Sequence, residues 1–102
     1  MDTYPAVRDQ DRPPVHPGTV IEDILSDLPQ SKTEIASLLG ISRQHLYDIL
    51  KAKRPVSPDV AARLGKLFGN GAGLWLRIQA AYDAWHAERD VDVSNIPTLA
   101  VA

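Results

Sequence analysis

Arg43 and Gln44 stand side by side and carry the two side chains best suited to reading bases. A guanidinium pairs bidentately with guanine, and a carboxamide pairs the same way with adenine. On a helix, Tyr47 lies one turn further along the same face. Residues of a second type surround these three. Lys32 and Ser42 precede or adjoin them, and Lys51, Lys53 and Arg54 follow. Cations and a hydroxyl beside a groove hold phosphates and set register. The chemistry on offer is nucleic-acid recognition, with Arg43, Gln44 and Tyr47 as base readers. Lys32, Ser42, Lys51, Lys53 and Arg54 are the phosphate contacts.

Other chemistries lack their residues. The three histidines, His16, His45 and His86, form no close-spaced ligand pair, and there is no cysteine. Neither a thiolate metal site nor a disulfide framework is therefore available. There is no glycine-rich phosphate loop and no nucleophile elbow, and most serines sit where helices begin. The expectation is a chain without catalytic residues, metal or cofactor.

The elements that would position these groups are legible. In the stretch 32–51, a small residue falls at the fifth place (Ala36) and glycine at the ninth (Gly40). Ile35, Leu39, Ile41, Leu46 and Ile49 supply its apolar positions. Two short helices that cross steeply need a small residue at their contact and a glycine in the turn, so the pattern is a helix-turn-helix. Ser31 and Glu34 make a capping box for the first helix. Ser42 caps the second, Arg43–Leu50, with Leu46, Ile49 and Leu50 inward and Arg43, Gln44, Tyr47 and Asp48 outward. An ordinary helical hairpin would show any one of these signals; all of them at these offsets are much less common. Asp48 on the outer face repels phosphate, so an interaction module that no longer binds DNA stays open as a reading.

The flanks add three helices. His16-Pro17-Gly18 opens one, with Val20, Ile21, Ile24, Leu25 and Leu28 as its core stripe and Pro29 as its end. Ser57-Pro58 opens another, with Val60, Ala61, Leu64, Leu67 and Phe68 inward and Gly69-Asn70-Gly71 breaking it. The last spans about 72–89, with Leu74, Trp75, Ile78, Ala81, Tyr82 and Trp85 on a broad apolar face. Trp75 is expected in the core. Tyr82 and Trp85 fit core filling and a protein interface equally, and they are the candidates for a homodimer contact. The fold class is thus all-α, five helices in one domain at 16–90. An acidic, proline-rich arm covers 1–15, and a tail covers 91–102 that could be a strand, a docking peptide or a frayed end.

The chain has 102 residues, 44% hydrophobic, and a formal charge of -2. That total conceals segregation. Residues 31–54 carry five cations against two anions, whereas 1–30 carry two against six. Local charge governs an encounter with phosphate more than the total does. No run of about 18 apolar residues suggests a membrane span, and the N-terminus reads as no leader. The expected place is the cytoplasm, on the nucleoid when bound to an operator.

Taken in order, several segments resemble one family. They are His16-Pro17-Gly18, then S-K-T-E-I-A-S-L-L-G-I-S-R-Q-H-L-Y-D-I-L, then K-R-P-V-S-P-D from Lys53, then L-W-L-x-x-Q-A-x-Y-D from Leu74. Together they look like the HigA antitoxins, small XRE-like proteins with a lambda-repressor-like domain. The match runs over about 15–88. The resemblance implies a dimer on its own operator, repression of its own operon, and tight binding of a HigB-like toxin. Such toxins are mRNA-cleaving RNases of the RelE class. It also puts Arg43 and Gln44 where the family reads DNA, with Lys51, Lys53 and Arg54 beside them. RNases that grip RNA must be basic, so the toxin is expected on acidic surface away from the recognition helix. The arm at 2–12 is one candidate for that surface. A stand-alone repressor without a toxin is the alternative.

Overall fold

The computed structural model describes residues 12–101, and the expectations for the arm before them lie outside the described residues. Five helices follow one another: α1 (Pro17–Ser26), α2 (Lys32–Leu39), α3 (Arg43–Leu50), α4 (Pro58–Phe68) and α5 (Ala72–Asp90). There is no strand among the described residues.

Local chemistry starts and stops each helix. The Ser31 hydroxyl accepts from the Glu34 N–H at 3.1 Å, and Glu34 accepts from the Ser31 N–H at 2.9 Å. Both arms of the expected capping box are therefore formed, which satisfies two otherwise orphaned donors. Gly40 closes α2 at φ 75°. The Gly40 and Ile41 N–H groups turn back to the Ser37 and Ala36 carbonyls, a closure that needs the left-handed region glycine tolerates. Ser42 caps α3 through the His45 N–H at 2.9 Å.

α1 ends earlier than its apolar stripe. The helix stops at Ser26, and Leu28 is 37% exposed rather than in the core. Pro29 disfavours helical backbone at the residue before it, so unwinding begins ahead of the proline itself.

The core gathers Ile21 and Leu25 of α1, Ile35, Ala36 and Leu39 of α2, Leu46 and Ile49 of α3, Val60, Ala61 and Leu64 of α4, and Trp75 of α5. Trp75 is wholly buried, as expected, and its indole N–H donates to Asn70 at 3.0 Å. α4 packs along α5, and α1 lies on α3. Gly18 makes that second contact possible. A Cβ on Gly18 would stand 2.0 Å from the Ile49 carbonyl oxygen, so the first turn of α1 touches the backbone at the end of α3. After α5 the tail forms no strand, and Val91, Val93, Ile96, Leu99 and Val101 are all exposed.

Candidate nucleic-acid interface

α3 presents its N-terminal turn outward because its apolar residues fall on the other side. Leu46 and Ile49 are buried, while Ser42, Arg43 and Gln44 are exposed. Tyr47 and Asp48 are half-buried on the flank of the same helix. The Gln44 amide donates to the Asp48 carboxylate at 2.8 Å. Asp48 is thus used to hold Gln44, and this (i, i+4) bond does not engage the amide oxygen, which keeps its acceptor capacity.

Lys32 is engaged. Its ammonium lies 2.8 Å from Glu22 and 5.8 Å from the centre of the Tyr47 ring. The hydrogen bond to Glu22 holds its pKa above the ordinary lysine value. To reach a phosphate, Lys32 must give up Glu22. Ser42 already accepts from the His45 N–H, which leaves its hydroxyl proton free to donate.

The cations after α3 sit on a built turn. The Ala52 N–H donates to the Ile49 carbonyl at 3.0 Å, and the Lys53 N–H to the Asp48 carbonyl at 2.8 Å. This is the closing motif that normally carries glycine, and Ala52 takes its left-handed place at φ 59°. Lys51, Lys53 and Arg54 are exposed. Beyond Pro55, the buried Val56 N–H donates to the Gln79 side-chain oxygen of α5 at 2.8 Å.

His16 supports the same turn from the other side. Its Nδ1 accepts from the Gly18 N–H at 2.9 Å and so caps α1. The ring also lines a small cavity with Ala52, Lys53 and Arg54 of that turn. Burial pushes its pKa below the ordinary imidazole value, against the opposing pull of Asp83 and of the Arg54 backbone. His45 is lowered too, first by burial and then by the nearby Arg54 cation.

Tyr82 and Trp85 both lie half-buried on α5. Tyr82 stands edge-on to His16 with ring centres 4.8 Å apart, and its other neighbour is His86 at 4.3 Å. The Arg89 guanidinium covers Trp85 at 3.9 Å. Tyr82 therefore serves the fold of its own chain, whatever else it touches.

Sequence reasoning missed three groups. His16 was read only as the start of a helix, though a histidine directly before Pro-Gly is placed to cap. Gln79 interrupts an otherwise apolar face, which marks a buried amide with a partner to satisfy. Arg63, on α4, donates to the Leu39 carbonyl at 2.9 Å and pairs with Asp59, so it ties α4 to the turn of the motif.

Comparison with known proteins agrees with this architecture. A helix-turn-helix family model matches residues 27–74. Virulence-associated protein I of Dichelobacter nodosus is 35% identical over 82% of this chain and 79% of its own length. The structure of a HigA-family addiction-module antidote protein from Coxiella burnetii superposes with a TM-score of 0.79, at 30% identity, over 87% of this chain and 100% of that one. The chain belongs to the HigA family of helix-turn-helix antitoxins. A Pseudomonas aeruginosa protein solved with its operator DNA has the same fold, with a TM-score of 0.73 and 29% identity over 86% of this chain and 98% of that one. As a HigA-type chain, it has a DNA-binding regulator fold. Among its described residues no helix is long and apolar enough to cross a membrane.

Proposed function

We propose that this chain is the antitoxin of a two-protein module. It binds a palindromic operator as a homodimer, represses its own operon, and neutralises a RelE-like, mRNA-cleaving toxin. The observation that carries the DNA half is the first turn of α3. Arg43 and Gln44 are exposed there, neither is needed by the core, and an exposed cationic turn adjoins them. That arrangement fits base reading by Arg43, Gln44 and Tyr47, and phosphate contacts by Ser42, Lys51, Lys53 and Arg54. Lys32 joins them only by exchanging Glu22 for a phosphate.

A two-fold operator calls for a two-fold protein. The half-buried Trp85, with Tyr82 beside it, supports α5 as the dimer contact. The toxin half rests on family membership and on charge. Asp23 of α1, Asp27 just after it, and Glu88 and Asp90 of α5 are exposed acids outside the recognition turn. A basic RNase fits them without displacing DNA.

Two experiments test the proposal. A gel shift with the gene's own promoter is expected to give a specific complex, and its absence would leave an interaction module that does not bind DNA. Co-expression with the adjacent gene product is expected to yield a co-purifying complex that still binds operator. Failure to co-purify with a RelE-like neighbour, with operator binding intact, would favour a stand-alone repressor.

A further inference from the structure

Two buried polar side chains flank the basic turn after α3, one on each side of Pro55. On one side His16 lies against the turn, lining one cavity with Ala52, Lys53 and Arg54. On the other, Gln79 accepts from the Val56 N–H. Both are buried: His16 and Gln79 are each 6% exposed, although the other buried side chains among the described residues are apolar. Each is itself held in one orientation. Gln79 donates its amide N–H to Asp83 at 2.9 Å, which turns its oxygen toward Val56. His16 accepts from Gly18 at Nδ1, which leaves the ring proton on Nε2. Tyr82 stands edge-on against the imidazole. These groups, with Lys53 and Arg54, wall one shallow cavity of about 240 Å³. Buried polar side chains are costly unless they are satisfied and retained for some purpose. Helix capping accounts for one bond of His16 and for none of Gln79.

We infer that His16 and Gln79 are positioning residues for operator binding, which fix the backbone of the 51–55 turn so that Lys53 and Arg54 meet phosphates without further ordering. The inference rests on the reading of Lys53 and Arg54 as phosphate contacts. A turn fixed before binding spares DNA the cost of ordering it. It also makes α1 and α5 part of the DNA-binding apparatus, although neither enters the groove.

The test compares His16→Asn, Gln79→Leu and the double variant Lys53→Ala/Arg54→Ala in a salt titration of operator binding. Asparagine at position 16 still caps α1 but is too short to reach the turn. The double variant is expected to shrink the slope of log affinity against log salt by about two, one unit for each lost phosphate contact. His16→Asn is expected to keep the wild-type fold by circular dichroism, yet to shrink the slope by about one and weaken binding on the order of tenfold. In the Lys53→Ala/Arg54→Ala background, His16→Asn should change neither quantity further. Gln79→Leu should behave like His16→Asn; if it does not fold, His16→Asn alone decides. A wild-type slope in His16→Asn, with a reduced slope in the double variant, would overturn the positioning role and leave the phosphate reading standing. A wild-type slope in the double variant itself would overturn both.

Discussion

His16 caps α1 only while its ring is uncharged. Its Nδ1 lone pair caps α1 through the Gly18 N–H, and protonation would remove that lone pair. Burial already holds its pKa below the ordinary value, and His45 is displaced in the same direction. The folded chain therefore binds fewer protons than the unfolded one between the folded and unfolded pKa values. The stabilisation is complete above about pH 6.5 and is lost as the pH falls through the folded values. Urea unfolding at pH 7.5 and pH 5.5 is expected to give a lower midpoint at the acid pH. In His16→Asn the difference should shrink to what His45 leaves. An acid-side rise in the wild-type midpoint would contradict the assignment of both imidazoles as neutral.

At the scale of elements, the helices and their caps were legible because each rests on neighbours in the sequence. Ser31 with Glu34, Gly40, Ser42 and Ser57-Pro58 act within one turn, and all four act as the spacing requires. What was hidden depends on elements distant in the chain. The bond from Val56 to Gln79 and that from Arg63 to Leu39 join residues more than 20 positions apart, and no periodicity announces them. Lys32 reads as a free cation until α1 brings Glu22 against it. Gly18 is a third such case: a glycine after Pro17 looks like punctuation, but its lack of Cβ lets α1 rest on the Ile49 carbonyl. Gly18→Ala is expected to push α1 off α3 and cost about 1–3 kcal/mol. The melting temperature should then fall by roughly 5–20 °C. An unchanged melting temperature would mean that the two helices separate without loss.

At the scale of the molecule, the two-fold DNA binder proposed above would combine α3, the basic turn after it and a partly apolar α5. Replacing Trp85 by glutamate is expected to give monomers by light scattering, because a charge is costly to desolvate at the dimer contact proposed for α5. A variant that stays dimeric would move the contact away from Trp85. The central claim is that α3 reads bases while the turn after it grips phosphates, and a salt titration of wild type and Arg43→Ala on operator and scrambled DNA tests it most directly. Arg43 is exposed and makes no core contact, so the fold should survive the substitution. Operator affinity should fall by about 1–3 kcal/mol, with preference relaxed at one base pair. Affinity for scrambled DNA should stay near the wild-type value. An equal loss on both DNAs, with a shallower salt slope, would make Arg43 a phosphate contact and contradict the assignment of the reading face.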